Sequence, residues 1–129
     1  MNYYISKKVE TTFDQTIENL TEALKEEGFG VLSQIDIHSK LHEKLSVEFR
    51  KYTILGACSP KHAYEALQKE DKVGTMLPCN VIVQELEQSK VEVAAVDPVA
   101  SMMSIDNPEL KIIAGEIRDK LSRVVDSLG

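Results

Sequence analysis

The chain has 129 residues, 43% hydrophobic and 28% charged, with 21 acidic side chains against 15 basic ones and a formal charge of -6. That is enough for one domain with a real core and no disulfide staples, and it argues against disorder. The acidic balance repels a phosphate backbone, which excludes nucleic acid as an expected partner, and no apolar run approaches the ~20 residues that a membrane helix needs.

The start, Met1 to Lys8, lacks the apolar centre of a signal peptide, so a cytoplasmic location is expected. In that compartment the two cysteines are expected as reduced thiols rather than a bridge.

Tyr3, Ile5 and Val9 open the chain with β character, and Thr12 with Gln15 three residues later reads as a capping box. Phe13, Ile17, Leu20 and Leu24 repeat at helical spacing, Glu18, Glu22 and Glu26 lie opposite, and Gly28 is the expected stop. After Gly30, the alternate residues Val31, Ser33, Ile35 and Ile37 predict a strand, followed by a short helical return carrying Leu41, Leu45 and Phe49.

Tyr52 to Cys58 is strand-like with both faces partly buried, and Gly56 marks a bulge or a close approach by a neighbour. Ser59 and Pro60 are a good N-cap and first helical residue, which predicts a helix from Lys61 to Lys69 with Ala63, Ala66 and Leu67 inward. Gly74 and Pro78 bracket a loop. Two further runs, Cys79 to Leu86 and Val91 to Val96, flank Glu87-Gln88-Ser89-Lys90, a length suited to an antiparallel hairpin.

A short turn or helical piece around Pro98 to Met103 leads to Asn107-Pro108, a cap and first-position proline for a long final helix. Its apolar stripe is Leu110, Ile113, Ile117, Leu121, Val124 and Leu128, with Glu116–Lys120 and Asp119–Arg123 as i,i+4 pairs on the exposed face. No repeat, low-complexity segment or linker divides the chain. The order β-α-β-β-β-β-α, with short inserted helices, predicts a single α+β domain with a five-stranded antiparallel sheet covered by helices. A doubly wound parallel sheet fits less well, because the late strands are joined by a hairpin.

Both cysteines fall at abrupt changes of local structure: Cys58 closes a strand before Ser59-Pro60, and Cys79 opens a strand after Leu77-Pro78. With Gly56-Ala57-Cys58-Ser59-Pro60 and Leu77-Pro78-Cys79-Asn80-Val81 in view, the chain resembles the domain of unknown function 302 family (DUF 302). Phe13-Asp14, Gly28-Phe29, Ile35-Asp36, Lys44-Leu45, Ala63 and Ala66-Leu67 extend the resemblance over nearly the whole length. Family members often have Asn where this chain has Ser59, which keeps the capping role. The resemblance implies a TATA-binding-protein-like α+β fold and a homodimer. It implies no DNA binding and supplies no reaction, so residue by residue it carries over only that Cys58 and Cys79 match the two cysteine motifs.

If the strands ending at Cys58 and beginning at Cys79 are antiparallel neighbours, the two thiols lie close, and the helix N-terminus after Cys58 favours a thiolate. The competing reading is two small buried residues at tight turns. His62, four residues after Cys58, is expected in the first turn of the following helix. Cys58, Cys79 and His62 together make a reasonable zinc set with one open position, although a solvated His62 is the commoner outcome. His38 and His42 share a helical face at i,i+4, but no Glu follows His38 directly as a zinc-hydrolase helix needs. Ser59 is explained as a cap, and Met76, Met102 and Met103 as packing.

The leading expectation is a small cytoplasmic homodimer whose Cys58, Cys79 and His62 region binds a small ligand or a metal, zinc suiting the donors, or responds to redox state. The alternatives are an enzyme using Cys58 as nucleophile with His62 as base, and a non-catalytic interaction or scaffold module.

Overall fold

The computed structural model describes residues 2–129. The elements run β1 (Tyr4–Val9), α1 (Phe13–Glu26), β2 (Gly30–Asp36), α2 (Ile37–Leu45), β3 (Tyr52–Cys58) and α3 (Pro60–Lys69), followed by a 3-10 turn at Asp71–Met76. They continue with β4 (Cys79–Glu87), β5 (Lys90–Val96), α4 (Pro98–Ser101) and α5 (Pro108–Ser127). The five strands form one antiparallel sheet in the order β1-β5-β4-β3-β2, as expected for the α+β class. No helix among the described residues is long and apolar enough to cross a membrane.

Local chemistry sets the helix ends. Thr12 Oγ1 accepts from the Gln15 N–H at 3.2 Å, but Gln15 Nε2 donates to Asn19 rather than back to Thr12, so only half of the capping box forms. Gly28, at φ +84, turns the chain after α1 in the left-handed region that glycine enters without steric cost. Asn107 Oδ1 caps α5 through the Glu109 N–H at 3.1 Å, with Pro108 at the first position.

The alternation of each strand sorts its side chains onto two faces. Toward the helices, Leu55, Val81 and Ala95 lie side by side in register, as do Thr53, Val83 and Val93. All six are fully buried, and α1 and α5 pack over them. The whole predicted stripe of α5 joins this core: Leu110, Ile113, Ile117, Leu121, Val124 and Leu128 are buried. Among the described residues no helix layer faces the opposite side of the sheet, where Tyr52, Gln84 and Glu92 form one cross-strand row and Ile54, Ile82 and Ala94 the next.

Tertiary packing changes several local expectations. A bulge between Val31 and Ser33 pairs Val31 with Ala57 but Ser33 with Gly56, which puts these two residues on opposite faces instead of one. The helical return ends at Leu45 and Phe49 lies beyond it. α2 has no buried residue, Leu45 is 65% exposed, and residues 42–51 are exposed throughout. In α3 the inward positions are His62 and Ala66, while Leu67 is exposed. Gly56 marks a close approach, since a Cβ there would lie 2.8 Å from Pro78 Cγ and would also meet Ser33 Oγ.

Candidate functional site

β3 and β4 are antiparallel neighbours, and the end of one lies beside the start of the other, the condition under which the two thiols are expected to lie close. The register pairs Cys79 with Ala57, one residue before Cys58, so the two thiols leave the sheet on opposite sides. Cys79 points into the core and is buried; Cys58 is half-buried on the uncovered side, and both are free. Burial pushes the Cys79 thiol up from 9.0 to about 11, with a smaller contribution from Cys58 nearby. Burial raises the Cys58 thiol as well. At neutral pH both are therefore protonated, the form that is a poor nucleophile and a poor metal ligand.

His62 is not a solvated first-turn histidine. It is 5% exposed, and its ring is held at both nitrogens. Nε2 lies 3.0 Å from Glu116 Oε2 and Nδ1 lies 2.8 Å from Ser59 Oγ. A carboxylate only accepts, so Nε2 carries the proton, and in the neutral ring Nδ1 accepts from the serine hydroxyl. The ring is thus spent on Ser59 and Glu116 and not on the thiols. Among the described residues no group of three His, Cys, Asp or Glu side chains is placed to hold a metal ion, so Cys58, Cys79 and His62 do not assemble as the expected zinc set.

Two further side chains take roles that the sequence does not signal. Ser59 occupies the cap position of α3, yet its hydroxyl makes no cap hydrogen bond and goes to His62. Glu116, expected in an i,i+4 pair with Lys120, reaches back to His62, while Lys120 donates to the Glu27 carbonyl at 3.4 Å and Arg123 pairs with the Glu27 carboxylate. The hydroxyl–imidazole–carboxylate line can pass a proton and ties α3 to α5. None of its three residues lines the hollows described below. The other histidines are likewise occupied: His38 Nδ1 accepts from the Tyr52 N–H at 2.9 Å, and His42 Nδ1 is 3.0 Å from Glu48.

The uncovered sheet face carries a groove of about 390 Å³, within the range of small-molecule sites. Its floor includes Ile82 and Ala94. Tyr3 and Tyr4 line it from the β1 edge, Tyr52 from β3, and Gln84 with Glu92 from the middle of the sheet. Gln84 Nε2 donates to Glu92 Oε1 at 2.8 Å, and Gln84 Oε1 accepts from Arg50 Nε at 2.8 Å. A smaller hollow of about 190 Å³ shares Asn80 and Val96 with the groove and adds Leu77, Pro78 and Ser101. The Leu77-Pro78-Cys79-Asn80 motif thus reaches the open face through Pro78 and Asn80, while its cysteine turns to the core.

Fold and surface together define a class: a single α+β domain with helices on one face of a five-stranded antiparallel sheet and a groove on the other. The chain belongs to the family described as Domain of unknown function DUF302, whose model matches residues 5–128. It is similar to the crystal structure of an uncharacterized conserved protein DUF302 from Bacillus stearothermophilus, with 34% identity over 98% of both chains and a TM-score of 0.90. No curated protein is a significant match.

Proposed function

We propose that the protein is a non-catalytic binding module that takes a small organic ligand in the groove on its open sheet face and works as a homodimer. The observation that carries this reading is the groove itself, an apolar floor with aromatic walls and one polar cluster, built on sheet positions rather than loops. Support for the dimer comes from the exposed segment 42–51, which presents Leu45, Val47 and Phe49 to solvent, with Ile35 exposed on the neighbouring strand. The ligand site is thereby moved away from Cys58 and Cys79, which are read as packing residues beside it.

The enzyme reading with Cys58 as nucleophile has less support, since its thiol is raised and the basic nitrogen of His62 is given to Ser59. Backbone amide shifts of labelled protein, followed during titration with mixtures of small organic compounds, test the proposal. Perturbations centred on Tyr4, Ile82 and Ala94 are expected. Perturbations centred on Cys58 and Cys79 would return the site to the thiols, and the absence of any would remove the ligand. Light scattering tests the assembly, and a monomeric mass at every accessible concentration would remove the dimer.

A further inference from the structure

We infer that the groove takes a small organic cation, an ammonium group carrying alkyl substituents, an inference that rests on the ligand-binding reading above. Among the described residues Glu92 is the one formally charged residue of the lining, and three of the chain's four tyrosines line the groove with it. Aromatic rings carry negative electrostatic potential on their faces and attract cations there, most strongly when the cation is partly removed from water. Tyr3 and Tyr4 are themselves packed edge to face at 5.0 Å between centroids.

The carboxylate is oriented rather than neutralised. Arg50 fixes the amide of Gln84, Gln84 holds Glu92 Oε1, and Oε2 accepts no hydrogen bond from the described residues. Neither Arg50 nor Lys8 is paired with it among the described residues. Arg50 is bonded to Gln84 and lies 4.3 Å from the centroid of the Phe49 ring. Lys8 stands opposite Glu92 in the register but, among the described residues, forms no ion pair with it. An anion would meet Glu92 and the ring faces as repulsion, and a neutral apolar ligand would use only the floor. A volume of about 390 Å³ accommodates a trimethylammonium head with a short chain.

The chain has four tyrosines and no tryptophan, so in a Tyr64→Phe background the remaining emission comes from Tyr3, Tyr4 and Tyr52 of the groove. Choline and its neutral isostere 3,3-dimethylbutan-1-ol are titrated against that fluorescence. Saturable quenching by choline is expected, with the isostere at least about fivefold weaker. Glu92→Gln and Tyr52→Leu, each shown to fold by circular dichroism, are expected to weaken choline by a similar factor. Equal affinity for both compounds would overturn the cation inference while leaving the groove as a ligand site. Failure of both to bind would overturn the inference together with the binding module, and choline binding untouched by either substitution would place the cation elsewhere and overturn it as well.

Discussion

Raising the pH should unfold this protein in part through Cys79, a perturbation that distinguishes a packed thiol from an accessible reactive one. The thiol titrates at 9.0 in an ordinary setting and at about 11 here, chiefly because burial disfavours the thiolate. The folded state therefore holds its proton longer than the unfolded state. The resulting stability is complete below about pH 9 and is lost as pH rises toward 11. Two pKa units correspond to roughly 3 kcal/mol in full, of which about half is gone at pH 10. Urea denaturation under reducing conditions at pH 7.5 and pH 10, for wild type and Cys79→Ala, isolates this contribution, because the tyrosines and lysines titrate in both proteins. Wild type should lose roughly 1 kcal/mol more than the variant between the two conditions. Equal losses would mean that the thiolate forms as readily in the folded protein as in the unfolded one. Cys79 would then be as available for reaction or metal binding as an ordinary thiol.

Two substitutions test the packing. Leu121 is fully buried in the α5 stripe, so Leu121→Ala should cost roughly 2 to 5 kcal/mol in chemical denaturation. A loss under about 0.5 kcal/mol would show that this face of α5 does not form the core. Gly56→Ala should cost about 1 to 3 kcal/mol, because the new methyl meets the Pro78 ring and the Ser33 hydroxyl, and Ser33→Gly in the same chain should restore part of it. Unchanged stability after Gly56→Ala would show that β2 and the Pro78 loop yield without strain.

Elements whose cause lies in neighbouring residues were legible in the sequence. Gly28 ends α1, Asn107-Pro108 opens α5, the spacing of Leu110 through Leu128 marks the buried stripe, and the β4–β5 hairpin follows from two strand-like runs with a short connection. Each depends on backbone geometry or on a period repeated over a few turns, and such signals are local. The neighbouring antiparallel strands at the two cysteines were readable as one possible arrangement. The directions of the thiols were not, because a one-residue offset between Cys58 and the partner of Cys79 reverses the face, and register is settled by packing across the whole sheet. The same limit applies to Glu116, whose local pairing with Lys120 gives way to a buried imidazole 54 positions earlier in the chain. It applies most to the groove. Tyr4, Tyr52, Gln84 and Glu92 come from four strands and share no motif, and only the order β1-β5-β4-β3-β2, with both long helices on one side, leaves them together on the opposite face.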